Sequence, residues 1–161
     1  HLIWLGIHWL DPATYLTGTH ATHITGFAAN VGGQPLDVED SAAVALRYAN
    51  GTLGTLTSGY YLDRGYHTHV KIWGSHGWLQ LERWGGKTLT WQSWKPGSKP
   101  GVQTWEGQDE PRGYTPFVQA AVKAAAGLAD APISSHDSLR ALQMVYGLYR
   151  AHATGQTQVI G

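Results

Sequence analysis

The first residues that could do chemistry lie in "LIWLGIHWLDPATYLTG", where the imidazole of His8 sits between Ile7 and Trp9 and the carboxylate of Asp11 follows three positions later. On a helix this spacing puts the two groups on adjoining faces. An imidazole titrates near neutral pH and can pass a proton in either direction, so a half-buried His8 suits general acid–base work. The same pattern fits a core histidine held by one hydrogen bond, and spacing alone favours that plainer reading. His67 and His69 alternate along a strand-like run and could hold a metal, but no nearby Asp or Glu completes a ligand set. His20 and His23 fall among Thr and Gly and read as surface, His76 as part of a turn, and His136 as part of a helix cap with Asp137.

These groups need elements to carry them. Residues 3–17 read as helix in two pieces, with Leu2, Leu5 and Trp9 on one stripe. Asp11 and Pro12 look like an N-cap and a first helical position, so the helix is expected to bend and restart there, with Gly18 as its C-terminal cap. Residues 23–31 form a candidate strand. "SAAVALRYANGTLGTLTSGYY" is two β-type runs joined by Asn50–Gly51, the dipeptide of a type I′ turn, with Ala42, Val44, Leu46 and Tyr48 sharing a face. Gly54 marks a bulge or a close backbone approach. "YHTHVKIWGSHGWLQLE" is a second hairpin turning at Gly74–Gly77, and "KTLTWQSW" and "VQTWE" read as further strands. The period then changes to that of helix. "YTPFVQAAVKAAAGLAD" gives one helix and "SSHDSLRALQMVYGLYRAHATGQ" a second, whose apolar positions are Leu139, Leu142, Val145, Tyr146 and Tyr149. The order predicts an α+β fold: a predominantly antiparallel twisted sheet with helices packed on one face.

The sheet's other face needs an occupant. His67, His69, Lys71 and Trp73 point one way, and Trp73, Trp78, Trp84, Trp91 and Trp94 make the region unusually aromatic. Such a face can be an ordinary solvent face or the lining of a substrate pocket, but a broad aromatic patch favours an interface, here a homo-oligomer formed through the open sheet face. Composition narrows the field further. The chain of 161 residues balances 11 basic against 11 acidic side chains, which leaves no basic footprint for nucleic acid. It has no cysteine, so disulfides and thiolate metal sites are excluded. No apolar run reaches the ~20 residues of a membrane helix. The first ten residues lack the charged start and cleavage site of a secretory leader, so a cytoplasmic location is expected.

Four stretches together resemble the C-terminal domain of the glucose-fructose oxidoreductase, inositol dehydrogenase and MocA-like family (Gfo/Idh/MocA). The opening helix matches the pattern Asp-x-Gly-x-His-x-x-Asp at Gly6, His8 and Asp11, followed by Gly18. "VEDSAAVALRYANGTLGTLTSG", "VKIWGSHGWLQLE" and "HDSLRALQMVYGLYRAHATGQTQVI" resemble the central hairpin, the next hairpin and the closing helix and tail. The resemblance implies one substrate-binding and oligomerisation domain over residues 1–161, excised from a longer protein. Its missing N-terminal Rossmann domain would bind NAD or NADP and carry the family's catalytic lysine. No G-x-G-x-x-G fingerprint after a strand occurs in this chain. The resemblance also implies that His8 contacts the reacting hydroxyl of a small-molecule substrate, a sugar or polyol, and assists its proton transfer. Trp4 stands where the family has its first Asp, and tryptophan cannot act as a base. Either the chemistry is arranged differently, or Trp4 stacks on a sugar face, or dehydrogenase activity is lost. Trp4, Asp11, Tyr61 and His67 are the expected substrate contacts. The alternatives are an NAD-dependent glycosidase on the same scaffold and a non-catalytic carbohydrate-binding or assembly domain.

Overall fold

The computed structural model describes residues 1–32, 35–60, 69–82, 88–106 and 114–161. The chain divides into two compact units, His1–Arg64 with Ala131–Gly161, and Gly65–Asp130. The α+β class and the antiparallel pairing are as the sequence implies, and among the described residues the strands group into two four-stranded sheets.

In the first unit a π-helical turn, Leu2–Gly6, leads directly into α1, Ile7–Thr17. Three strands follow, β1 (Ala21–Ala29), β2 (Ser41–Tyr48) and β3 (Leu53–Gly59). After the second unit the chain returns as α3 (Ser135–Thr154) and a short edge strand, β8 (Gln158–Val159), which the sequence reading left as tail. The sheet order is β3-β2-β1-β8. Ala42, Val44, Leu46 and Tyr48 all face the core, as their alternation requires. They meet Ile24 and Ala28 of β1, Leu2 and Leu10 of the opening helical segment, and Ala141, Met144, Val145 and Leu148 of α3. The stripe of α3 therefore departs from the expected one at Leu139 and Tyr146, which are exposed. Small residues decide this. A Cβ on Gly147 would lie 2.8 Å from methyls of both Ile24 and Ile160, so the helix packs Gly147 against the sheet and leaves Tyr146 outside, while Val145 and Tyr149 of the expected stripe stay at the core.

The β2–β3 turn also differs from expectation. The Gly51 N–H donates to the Tyr48 carbonyl, Gly51 has φ 87°, and among the described residues no non-glycine has positive φ. A type I′ turn needs positive φ at both central residues, so this is a type I turn closed by a glycine bulge. The Asn50 side chain accepts from the Thr52 N–H and fixes it. Gly54 is a close approach: a Cβ there would lie 3.0 Å from the Tyr48 ring.

The second unit holds β4 (His69–Gly74), β5 (Gly77–Glu82), β6 (Thr88–Ser93) and β7 (Gln103–Glu106), in that sheet order, and α2 (Tyr114–Ala125). The register separates the tryptophans. Trp73 pairs with Trp78 on one face, while Trp91 pairs with Leu79 and Trp105 with Leu89 on the other. The Trp73–Trp78 face is shared with Lys71, whose ammonium lies 5.2 and 5.0 Å from the two ring centroids. Trp84 lies outside the described residues.

Candidate active site

The opening segment is pinned from inside, and this sets which side of it faces outward. The Glu39 carboxylate accepts from the Leu2 N–H at 2.7 Å, the His1 backbone nitrogen at 3.1 Å and the Tyr149 hydroxyl at 2.9 Å. Burial alone would raise this carboxyl, but the three donors outweigh it and hold it below the usual range. The same contact, with burial as the larger cause, pushes the Tyr149 hydroxyl well above its ordinary value. Beside it the His1 Nε2 lies 2.6 Å from Ser58 Oγ on β3, and its ring meets the Tyr60 ring edge-on at 4.3 Å. Next in the chain, Asp40 is buried and accepts from the Val31 and Gly32 N–H groups and the Ser41 hydroxyl, which keeps its carboxyl low. Glu39, Tyr149, His1 and Ser58 were not singled out by sequence. Their signal is a polar residue entering a strand and a tyrosine on a distant helix, which only tertiary contact joins.

With Leu2, Gly6 and Leu10 turned inward, the opposite stripe carries Trp4, His8 and, one turn on, Asp11 and Tyr15. Trp4 is 73% exposed and His8 is exposed. His8 is therefore not a core histidine: it projects from the helix, and among the described residues it makes no hydrogen bond. The expected break at Asp11 is absent as well. α1 runs unbroken through Pro12, and Asp11 makes no capping bond. Proline removes a single rung, the one to the His8 carbonyl, and the helix departs from regular geometry earlier, where the Gly6 N–H reaches the His1 carbonyl five residues back at 3.4 Å. Gly18 closes α1 with φ 63°, as expected. Beyond His8, Asp11 also lines a cleft shared with the start of α3. Tyr61 and His67 lie outside the described residues.

The structure thus brings Trp4, His8 and Asp11 onto one outward surface. An imidazole there can exchange a proton with a docked hydroxyl, the indole can cover an apolar C–H face, and the carboxylate can accept hydrogen bonds. No group of side chains suited to hold a metal ion occurs among the described residues. Every strand pairing among the described residues is antiparallel. No helix among them is long and apolar enough to cross a membrane.

Residues 1–80 match the family model described as the GFO/IDH/MocA C-terminal domain. The chain belongs to the Gfo/Idh/MocA family, as a C-terminal domain. Solved structures agree in fold over almost all of it. An oxidoreductase domain protein from Kribbella flavida matches with TM-score 0.84 at 20% identity, covering 98% of this chain and 49% of that one. An aldose-aldose oxidoreductase from Caulobacter crescentus, complexed with glycerol, gives 0.79 at 19%, covering 96% and 46%. An oxidoreductase from Agrobacterium radiobacter, in complex with NAD+, L-tartaric acid and magnesium, gives 0.78 at 23%, covering 98% and 48%. This Gfo/Idh/MocA domain therefore spans about half the length of the structures it resembles. No curated protein matches it.

Proposed function

We propose that this domain, residues 1–161, is the substrate-binding and oligomerisation part of a cytoplasmic NAD(P)-dependent oxidoreductase acting on a hydroxyl of a sugar or polyol. The observation that carries the reading is the outward projection of His8 beside Trp4, in a domain whose family is Gfo/Idh/MocA. A bound nicotinamide, held by residues other than these, supplies the hydride acceptor. His8 takes the hydroxyl proton as the alcohol carbon becomes a carbonyl, and returns it in the reverse direction. Trp4 covers the C–H face of the substrate, the role its ring allows where a carboxylate is missing. Asp11 accepts from a neighbouring hydroxyl. Tyr61 and His67 complete the proposed contacts.

For assembly we favour the open face of the first sheet. There Phe27, 75% exposed, stands beside Ala43, Ala45, Thr55 and Thr57, with the exposed Arg47 two residues beyond Ala45 on the same face. The face bearing His69, Lys71 and Glu82 in the second sheet is charged, and the Lys71 ammonium stands against both of its tryptophan rings.

The test is cofactor reduction, followed by absorbance, when the full-length protein is offered a panel of sugars and polyols with NAD+ or NADP+. Reduction with at least one member is expected, and Trp4→Ala should raise KM about tenfold, the value of one good ring contact. Glycosidic cleavage without net reduction would replace this reading with the glycosidase. Glycan binding with neither reaction would leave a binding domain.

A further inference from the structure

The face of the second sheet that carries Lys71 is used neither by the proposed hydroxyl chemistry nor by the proposed assembly. Strand alternation and register arrange it in rows. At the hairpin end, Trp73 of β4 stands opposite Trp78 of β5, and Trp78 opposite Gln92 of β6. In the next row Lys71, Gln80, Thr90 and Thr104 follow one another across the four strands. His69 and Glu82 begin the third row, on the side of Lys71 away from the indoles. Trp73 is 70% exposed and Trp78 half-buried, and among the described residues no aromatic ring pairs with either. The Lys71 ammonium lies 5.2 and 5.0 Å from their centroids and makes no ion pair among the described residues. Glu82, one row on, instead accepts from the Gln80 amide at 2.9 Å.

Two open indoles beside a row of amides and hydroxyls match the two sides of a sugar: its C–H face lies on a ring while its hydroxyls reach the polar row. The unpaired ammonium adds a charge requirement. Lys71 is about equally far from both indoles, so a carboxylate on the edge of a sugar ring comes within its reach whichever indole that sugar covers. We infer that this face binds an oligosaccharide containing hexuronate residues, stacked on Trp73 and Trp78 with a carboxylate on Lys71. A second copy of the chain fits less well, since a dry contact would bury Lys71 and Glu82. A nucleic-acid strand needs a track of cations for its backbone, and this face sets the carboxylates of Glu82 and Glu106 against one lysine.

Three probes separate the two contributions: trigalacturonate, its methyl ester, which keeps the C–H faces without the charge, and citrate, which brings the charge without a sugar face. In calorimetric titrations of the full-length protein at low salt, trigalacturonate is expected to bind. The ester should bind about fivefold more weakly, the upper worth of an exposed ion pair, and citrate not measurably. Trp73→Ala should weaken trigalacturonate about tenfold, and Lys71→Gln should bring the acid and its ester to equal affinity. Both side chains are exposed, so neither change should alter the circular dichroism spectrum. Trp4→Ala is expected to leave this binding unchanged. Absence of binding at millimolar trigalacturonate, an ester or citrate as tight as the acid, or tighter binding of oligothymidylate would overturn the inference. So would affinity lost in Trp4→Ala but kept in Trp73→Ala. The readout is binding without turnover, so it stands or falls separately from the oxidoreductase reading.

Discussion

At the residue scale, one half-buried carboxylate does more to shape the site than any group within it. Glu39 joins the opening helical segment to α3 through Leu2 and Tyr149, and so sets the rotation that turns His8 outward. Because its folded carboxyl titrates below its ordinary value of 4.5, its bonds stabilise the fold fully above that value. They are lost as pH falls through the lowered folded value. Glu39→Gln is expected to cost about 2 kcal/mol near neutral pH, the worth of hydrogen bonds to a charged group, and to flatten the acid side of the stability curve. Urea denaturation between neutral pH and about pH 3 checks both; an unchanged acid slope would remove Glu39 from this role. His8 and Asp11 were visible in the sequence as chemistry. Their exposure was not, because an apolar neighbour on each side of His8 reads alike whether the helix turns that histidine in or out.

At the element scale, the positions of the hairpins and helices were legible wherever one period dominated. The alternation in β2 named its buried face residue by residue. It failed where two forces compete. In α3 the large side chains Leu139 and Tyr146 suggested the buried stripe, but close packing on β1 and β8 selects the strip around Gly147 instead. Gly147→Ala should therefore destabilise the domain by about 1–3 kcal/mol, the overpacking cost outweighing the roughly 1 kcal/mol that alanine gains as a helix former. Thermal unfolding measures it; a rise in Tm would show that the contact relaxes freely. The turn at Asn50–Gly51 was legible as a hairpin but not as its type, since glycine serves both geometries and the Asn50 side-chain bond to Thr52 decides.

At the scale of the molecule, the sequence carried the class and the family, while the division of the strands into two sheets was hidden. Each strand looks the same locally whichever sheet it joins, and the separating segment carries no period of its own. The assembly proposal belongs to this scale. Phe27→Glu puts a charge on the open face of the first sheet and should reduce the mass seen by light scattering to that of a single chain. An unchanged mass would move the interface elsewhere. The central claim is that His8 moves the proton. In steady-state kinetics of the full-length protein, His8→Ala is expected to lower kcat by about 10²–10⁴-fold with KM little changed, and added imidazole to restore part of the rate. A His8→Ala enzyme with undiminished kcat would contradict the account.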